Sequence, residues 1–482
     1  MSIETPRHRY PQPEPDDRPG NAAGELVHPG AALVDGATGT ALRGPELRGA
    51  VAEAADRLSA LPTGVLFALT PLDLPGVLRY LGALAAGRPV LLLDPALDRT
   101  ALETLIGRFR PAGVTGADGP VPAGYRAFDG TGWVRLDPDG ETPHPDLGVL
   151  LTTSGSTGNP KLVRLSAGAV LANARSIAVA LGIGPGEVAP TSLPLHYSYG
   201  LSVLNSHLVA GATVLVEPNG VLSRSFWDAV DTYRATSFAG VPYHYEMLRR
   251  IGFAPAAHPS IRTLTQAGGR LSPALVQDFA DRMAAAGGRL AVMYGQTEAT
   301  ARMAVLPPER LADKIGSAGQ AIPGGAFTIR PLDGPADPDG AGEVVYAGPN
   351  VMMGYAETEA DLARGDDLGG VLPTGDLGRL DTEGFLTITG RLKRIGKVFG
   401  TRVSLDDLED LLRGHGVAAA VPGDDRVVIW LEGADGERCR AAARALAERL
   451  RVHASGFDVR SVDTLPLLAS GKVDYRALEA DR

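Results

Sequence analysis

The feature that most constrains the fold is an alternation of short apolar runs with segments of helical periodicity. Runs at residues 64–69, 90–93 and 112–115 predict buried strands, and residues 74–85 between two of them have the spacing of a helix. A further helix is expected to begin near Thr100. Parallel strands need long crossover connections, which helices usually supply. The pattern therefore predicts an α/β fold with parallel sheets flanked by helices.

The same alternation resumes after residues 137–146, which are rich in Pro, Gly and Asp. Ser166 is expected to cap a helix that stops at Gly182, and Ser272 to cap another. Residues 326–389 alternate strands with turns, which predicts an antiparallel β region followed by a small α+β unit. Further strands are expected at 149–153, 162–165, 213–216, 237–241, 264–266, 290–293, 426–431 and 458–462.

Composition limits the classes of function. The 482-residue chain has a formal net charge of −10, which argues against a nucleic-acid partner. No apolar run reaches the ~18 residues of a membrane-spanning helix, and the start lacks the apolar core of a signal peptide, so no membrane partner is expected. The single cysteine, Cys439, fits a reducing compartment and predicts a cytoplasmic protein.

Lysine is rare and marks candidate sites. Of the 46 lysines and arginines only a handful are lysines, and a compact ammonium is not interchangeable with a planar guanidinium at a tight site. Each lysine therefore directs attention to its surroundings. The lysines are Lys161, Lys314, Lys393, Lys397 and Lys472.

The first lysine ends a Gly/Ser-rich loop between two predicted strands. Its glycines expose backbone N–H groups, and its hydroxyls and ammonium can surround a polyphosphate. It is not a Walker loop, because Pro160 precedes the lysine and opposes a helix start there. The candidate phosphate-binding residues are Thr153, Ser154, Gly155, Ser156, Thr157, Gly158 and Lys161.

With four later segments, this loop resembles the motifs of adenylate-forming (AMP-binding) ligases. That superfamily includes acyl- and aryl-CoA synthetases, peptide-synthetase adenylation domains and luciferases. Any one motif is weak, so the resemblance depends on their common order along the chain. The later segments are 294–298 (Tyr-Gly-Gln-Thr-Glu), 374–376 (Thr-Gly-Asp), 390–400 and 470–472 (Ser-Gly-Lys).

The resemblance implies a domain organisation. Residues 26–390 would form the AMP-binding domain, 391–393 a hinge and 394–482 a small mobile α+β lid domain, while residues 1–25, dense in Pro and charge, would be a disordered tail. Rotation of the lid would bring Lys472 to the phosphates in one pose and an acceptor-side loop to the acyl-AMP in the other. That loop contains Lys393, Gly396, Lys397 and Gly400.

The resemblance also implies the chemistry. A carboxylate attacks the α-phosphate of ATP, so the site must cancel negative charge. Glu298 would hold Mg²⁺, Thr297 would donate to the α-phosphate, and Lys472 would stabilise charge in the transition state. Asp376 would accept both ribose hydroxyls, and Arg391 would add a ribose contact. Further nucleotide contacts are implied for Gly268, Gly269, Arg270, Tyr294, Gly295 and Gln296.

The stretch 193–200 resembles the family's acid pocket. Peptide-synthetase domains for α-amino acids carry an aspartate there, whereas this chain has His196, also a catalytic candidate, and Tyr197. The family often has a histidine or aromatic residue in this stretch that gates the pocket, and the sequence does not decide between His196 and Tyr197 for that role. An unpaired buried ammonium is costly, so we expect an aryl or fatty acyl acid without an α-amino group. The candidate pocket residues, which could equally be core, are Tyr197, Tyr199, Gly200, Phe238, Val241, Tyr243, Met293 and Met303.

The expected reaction is ATP- and Mg²⁺-dependent activation of a carboxylic acid, followed by transfer to CoA. Lys393 stands where peptide-synthetase domains have an aspartate, which favours CoA. The alternatives are transfer to a free-standing carrier protein or to an amine. An alternative of another class is a catalytically inactive nucleotide-binding protein, against which the presence of Lys161, Glu298, Asp376 and Lys472 argues.

Overall fold

A computed structural model describes most of the chain. Its ranges are residues 24–128, 130, 132–152, 161–332, 340–392, 394–399, 401–424, 426–450, 452–468 and 473–481. Nearly all of the expected N-terminal tail therefore lies outside the described residues, as does most of the Gly/Ser-rich loop.

Strands occur throughout the described part of the chain. Over the described residues they are β1 (Ala32–Asp35), β2 (Ala41–Arg43), β3 (Leu66–Leu69), β4 (Val90–Leu93), β5 (Gly113–Thr115), β6 (Tyr125–Ala127), β7 (Gly132–Arg135), β8 (Leu147–Thr152), β9 (Leu162–Ser166), β10 (Val188–Pro190), β11 (Thr213–Val216), β12 (Ser237–Gly240), β13 (Thr263–Gln266), β14 (Arg289–Tyr294), β15 (Ala304–Leu306), β16 (Gln320–Ala321), β17 (Ala326–Arg330), β18 (Gly342–Ala347), β19 (Gly354–Ala356), β20 (Val371–Leu380), β21 (Leu386–Arg391), β22 (Ile395–Val398), β23 (Thr401–Ser404), β24 (Ala418–Pro422), β25 (Val427–Glu432) and β26 (Phe457–Val462).

Helices alternate with these strands, as the sequence pattern predicts. Within the same ranges they are α1 (Gly44–Ser59), α2 (Leu74–Ala85), α3 (Arg99–Phe109), α4 (Ala167–Leu181), α5 (Ser198–Val209), α6 (Arg224–Thr232), α7 (Pro242–Arg250), α8 (Pro273–Ala285), α9 (Leu405–Leu411), α10 (Gly436–Leu450) and α11 (Tyr475–Ala480).

The largest sheet has the order β19-β9-β8-β4-β3-β5-β7-β6. Its central strands β8, β4, β3 and β5 are parallel, which confirms the α/β prediction. Its flanking strands pair in the antiparallel direction. On one flank, the connection between β8 and β9 is too short for the crossover that parallel strands need. Side chains of α2, α4 and α5, including Tyr80, Val170 and Leu204, are buried in the adjoining hydrophobic core.

A second sheet has the order β12-β13-β14-β15-β16 and positions residues of the candidate site. Strands β12 to β14 are parallel, so their carboxyl ends lie at one edge, and residues 294–298 begin at the carboxyl end of β14. Ligands of open α/β sheets bind at such an edge. A third sheet, β10-β11-β1-β2, includes three strands that the sequence pattern did not predict, β1, β2 and β10.

The region predicted to be antiparallel is an antiparallel sheet, β17-β18-β20-β21, and Asp376 on β20 lies opposite Arg391 on β21. Residues from Ile395 on form separate small sheets, β22-β23 and β24-β25-β26, and the second of these packs with α9 and α10 around its own hydrophobic core. We call residues 394–481 the small lobe. In the part of the chain that is described, no helix combines the length and apolarity needed to cross a bilayer.

Candidate active site

Residues 294–303 form a tight reversal after β14. The Ala301 N–H donates to the Gln296 carbonyl at 3.1 Å and the Met303 N–H to the Tyr294 carbonyl at 2.9 Å. A Cβ on Gly295 would lie 1.6 Å from the Ala301 carbonyl oxygen, so only glycine fits this approach. The motif is thus a rigid support from which its side chains project to different segments.

Two of these side chains bind Asp376. The Tyr294 hydroxyl donates to Asp376 Oδ2 at 2.5 Å and Gln296 Nε2 to the same oxygen at 2.7 Å. Arg391 Nε donates to Oδ1 at 2.8 Å. Burial and the neighbouring carboxylate both raise the pKa of Tyr294, so its hydroxyl stays a proton donor. The carboxylate is held in place by three donors while the Arg391 side chain remains 58% exposed.

The last residue of the motif joins a second cluster. The Tyr355 hydroxyl donates to Glu298 Oε1 at 2.9 Å, and burial followed by this carboxylate raises the Tyr355 pKa. The Lys161 ammonium lies 5.8 Å from the Tyr355 ring centre and pairs with Glu357 at 2.6 Å. Antiparallel pairing of β19 with β9 places Tyr355 opposite Val163 and so brings Lys161 toward Glu298.

Thr297 contacts the start of α5. Its hydroxyl lies 3.1 Å from the Ser198 hydroxyl, so the motif's third anchor is the acid-pocket stretch. Gly200, one residue beyond Tyr199, permits this helix start, because a Cβ there would lie 2.2 Å from the Pro194 carbonyl oxygen.

The glycine turn after β13 faces the same stretch. Gly268 has φ of +83°, and a Cβ there would lie 2.4 Å from the Tyr197 hydroxyl and 3.1 Å from Val241 Cγ1. Gln266 Nε2 closes the turn by donating to the Gly269 carbonyl at 2.8 Å. Arg270, next in the chain, instead forms an ion pair with Asp410 of the small lobe.

His196 and Tyr197 point to different neighbours. His196 Nε2 lies 3.6 Å from the Asp94 carboxylate, and its buried Nδ1 has no hydrogen-bond partner among the described residues. Burial lowers the pKa of this imidazole, which Asp94 partly opposes. Tyr197 lies against the Gly268 turn and meets Tyr199 edge-on at 6.3 Å.

Comparison with known proteins identifies the family. Residues 76–356 match the family model described as "AMP-binding enzyme". The chain belongs to the AMP-binding family. It is therefore an ATP-dependent adenylate-forming ligase, as the order of its motifs predicts.

Curated relatives of this AMP-binding chain are CoA ligases. It is 30% identical over 352 residues to an oxalate–CoA ligase of Arabidopsis thaliana, covering 69% of this chain and 67% of that protein. It is 32% identical to a feruloyl-CoA synthase of Streptomyces, covering 68% of each. A 2-succinylbenzoate–CoA ligase of Bacillus velezensis is 27% identical, over 70% of this chain and 69% of that protein.

Solved structures share the fold. An O-succinylbenzoate CoA synthetase of Bacillus subtilis with AMP has a TM-score of 0.76 at 22% identity, covering 96% of this chain and 98% of that one. An amide bond synthetase of Marinactinospora thermotolerans has a TM-score of 0.73 at 24% identity, covering 96% and 99%. Both similarities confirm the α/β architecture with its C-terminal lobe.

The predicted acid pocket of this AMP-binding enzyme is only partly assembled. Tyr199 and Met293 line a cavity of about 30 Å³ together with Arg302, which the sequence analysis did not consider. Phe238 packs instead against Phe226, Trp227 and Tyr245 in a separate core. Met303 is fully buried in the main core, and Tyr243 is 37% exposed at the surface. These last two and Phe238 do not line the cavity, and neither do Tyr197, Gly200 and Val241.

Several predicted site residues lie outside the described part of the chain, and their roles stay predictions. Gly396 is described: a Cβ there would lie 2.8 Å from Val427 Cγ2 and 2.9 Å from Leu405 Cδ2, so it faces the core of the small lobe instead of an open passage. For Lys397 only the backbone is described. The residues outside are Thr153, Ser154, Gly155, Ser156, Thr157, Gly158, Lys393, Gly400 and Lys472.

Proposed function

We propose that this enzyme activates a carboxylic acid that lacks an α-amino group, and then transfers the acyl group to CoA. A carboxylate oxygen bonds to the α-phosphorus of ATP while the bond to pyrophosphate breaks, which yields an acyl-AMP. The CoA sulfur then bonds to the acyl carbon, and AMP leaves. The CoA ligases among the relatives support this acceptor, and oxalate, ferulate and 2-succinylbenzoate in their names are acids without an α-amino group.

The observation that carries the proposal is the set of anchors made by residues 294–298. Tyr294 and Gln296 hold Asp376, and Thr297 contacts Ser198 of the acid-pocket stretch. Glu298 is joined through Tyr355 to the neighbourhood of Lys161. Candidate ribose, acid and phosphate contacts are thereby gathered around one five-residue segment.

Asp376 can accept one ribose hydroxyl as it stands, and a second one only if a present donor moves. An ionised carboxylate offers about four acceptor sites, and Tyr294, Gln296 and Arg391 occupy three of them. One ribose hydroxyl can donate to Oδ1 directly. The second hydroxyl requires one of these donors to move, and Arg391 is the exposed one.

Glu298 fits Mg²⁺ as a single protein ligand. Tyr355 donates to Oε1, which leaves Oε2 free to coordinate a cation and fixes the carboxylate's orientation. Among the described residues no group of three or more His, Cys, Asp or Glu side chains forms a metal site. Mg²⁺ commonly binds one or two carboxylates together with phosphate oxygens and water, and would neutralise phosphate charge here. Lys161 would exchange Glu357 for a phosphate oxygen.

Pyrophosphate exchange with a panel of carboxylic acids tests the activation step. Asp376→Asn should lower exchange at least ~100-fold, because the carboxylate positions the nucleotide through contacts that an amide cannot replace. The matched control is Asp381→Asn, an exposed carboxylate in the turn between β20 and β21 that pairs with Lys314. Lys472→Ala should also lose at least ~100-fold. Equal activity of Asp376→Asn and the control would contradict the ribose role.

Acceptor competition tests the transfer step. CoA, a pantetheinylated carrier protein and simple amines are supplied in turn, and thioester, amide and AMP are measured. Thioester formed with CoA supports the proposal. AMP release accompanied only by amide or carrier-bound product would replace CoA with that acceptor, and no exchange with any acid would favour an inactive nucleotide-binding protein. A cytoplasmic location remains a prediction from the sequence.

A further inference from the structure

Arg302 is a buried cation without an anionic partner in the described part of the chain. It is 2% exposed. Its Nη2 donates to the Ser202 hydroxyl at 3.3 Å, and its guanidinium carbon lies 4.5 Å from the Tyr199 ring centre. The buried Nε has no hydrogen-bond partner, and no carboxylate of the described residues forms an ion pair with this side chain. Burying an unpaired charge is costly, so the fold retains Arg302 against its own stability.

The backbone holds Arg302 in a fixed position. The Arg302 carbonyl accepts from Asn173 Nδ2 at 2.9 Å and from Asn350 Nδ2 at 3.0 Å, and both asparagines are buried. The two preceding residues, Thr300 and Ala301, have φ of +60° and +122°, which is strained for residues other than glycine. Such strain persists where surrounding structure over-determines it, commonly at binding sites.

Arg302 lines the cavity that Tyr199 and Met293 also line. The cavity's volume of about 30 Å³ is enough for one or two water-sized groups, so a single carboxylate can enter it. Its polar lining beside Arg302 includes Tyr199, Ser202 and Thr265. The Tyr199 hydroxyl already donates to the Thr265 carbonyl at 3.0 Å, which leaves Arg302 as the principal unused donor.

Other charged groups at the cavity are already paired. Glu187 accepts from the Thr236 hydroxyl and from Arg262, and Arg289 donates to the Leu181 carbonyl at 2.7 Å. His207 Nδ1 lies 2.8 Å from the Val203 carbonyl oxygen, and burial lowers the pKa of this imidazole, which favours its neutral form. None of them compensates the charge of Arg302.

Helix α5 links the Arg302 end of the cavity to Thr297. Ser198 contacts Thr297, and Ser202 contacts Arg302, so the same helix, α5, contacts the reversal 294–303 at two points. Four residues of an α-helix span about 6 Å. Arg302 therefore lies roughly one turn of α5 away from the Thr297 hydroxyl, which is expected to donate to the α-phosphate.

We propose that Arg302 binds a second carboxylate of the acid substrate, so that this enzyme activates a dicarboxylic acid through the carboxyl group next to Thr297. This inference rests on the proposed function and specifies its substrate class. The second carboxylate supplies the missing counter-charge through charge-assisted hydrogen bonds to the guanidinium. An acid without that group would leave Arg302 buried and unpaired, which disfavours it.

The test compares matched acids in pyrophosphate exchange. Malonate, succinate, glutarate and adipate, together with an aryl dicarboxylate, are each compared with the monomethyl ester of the same acid. We expect the preferred dicarboxylate to exceed its ester at least ~100-fold in kcat/KM, because the ester leaves a buried charge unpaired. A preference for esters or simple monocarboxylates throughout the panel would overturn the inference while leaving the activation chemistry intact.

Two variants assign any preference to Arg302. Arg302→Met should lower kcat/KM for the dicarboxylate at least ~100-fold and leave that for the ester unchanged or higher, so that the ranking reverses. Arg302→Lys keeps the charge and should retain part of the preference. An unchanged ranking in both variants would exclude Arg302 as the determinant, and circular dichroism and thermal melting confirm that each variant is folded.

Calorimetric binding of the same acids separates this inference from the proposed function. Dicarboxylate binding that requires Arg302, in an enzyme that exchanges no pyrophosphate, would support the inference and contradict the activation chemistry. Exchange with monocarboxylates alone would support the activation chemistry and contradict the inference about Arg302. Absence of both dicarboxylate binding and exchange would overturn both.

Discussion

The two most deeply buried arginines among the described residues are Arg164 and Arg302, and they differ in their partners. Arg164 on β9 is 0% exposed and donates to the Asp367 carboxylate at 2.6 Å and to the Met353 carbonyl at 3.0 Å. It also donates to the carbonyls of Arg364 and Gly365. Arg302 is 2% exposed and has a hydroxyl and an aromatic ring. Burial alone therefore does not indicate a role. Both side chains have a buried Nε without a hydrogen-bond partner. The difference is that Arg164 has a carboxylate partner and joins segments of the fold, whereas Arg302 has no carboxylate partner among the described residues.

Arg164→Met should produce the largest change in the stability of the free protein. The substitution removes a donor from the Arg364 and Gly365 carbonyls and one of the two arginines that donate to Asp367, which keeps Arg364 at 2.8 Å. The loss of one partner of a buried pair typically costs about 3–5 kcal/mol, and we expect a value near the lower end because Asp367 is 33% exposed. Urea unfolding measures the change in the free energy of unfolding. A loss below about 1 kcal/mol would remove the distinction between the two arginines.

Asp367→Asn converts the Arg164 site toward the state of the Arg302 site. It keeps an acceptor oxygen but removes the negative charge, so Arg164 becomes a buried cation with neutral partners. We expect a loss of about 2 kcal/mol, the usual difference for a hydrogen bond between charged groups. Asp366→Asn, one residue earlier on the exposed loop, is the control and should unfold like the wild type.

Arg302→Met should leave the free protein as stable as the wild type or more stable by up to about 2 kcal/mol, because a buried charge is replaced by an apolar side chain of similar length. Thermal melting without ligand measures this, and the gain should disappear in saturating dicarboxylate. Destabilisation equal to that of Arg164→Met would show that Arg302 is structural.

Ser202→Ala should have the smallest effect. It removes the 3.3 Å bond to Arg302 and the bond from the Ser202 hydroxyl to the Tyr199 carbonyl. We expect a stability loss of about 1 kcal/mol and a rise in KM for the dicarboxylate of up to about fivefold, with kcat unchanged. A change in kcat without a change in KM would indicate that this serine acts on the chemical step instead.

The sequence predicted the parts of the fold that depend on local pattern. Helix α2 spans Leu74–Ala85 as its periodicity indicates, and α4 begins after Ser166 and ends at Gly182 as its capping residues indicate. Helix α1 was missed: it begins after Arg43, whose side chain makes no capping hydrogen bond. Capping residues reveal where a helix begins or ends only where the chain has them.

The candidate site could be predicted from the sequence only in part. The 294–298 segment was found by its motif, but Tyr355 and Ser198 reach it through strand pairing and helix packing between segments far apart in the chain. Periodicity carries no information on such pairing. Arg302 did leave a signal, a lone cation between Ala301 and Met303 in an otherwise apolar run, because a charge in a buried segment requires a partner.

The ion pair between Arg270 and Asp410 bears on how freely the small lobe can depart from the glycine turn. The two side chains are 53% and 29% exposed, so water and dissolved ions screen their attraction. Such a pair is typically worth no more than about 1 kcal/mol. The ion pair between Arg270 and α9 is therefore weak and reversible, because thermal motion suffices to break it. Raising the ionic strength should favour the form in which this ion pair is broken.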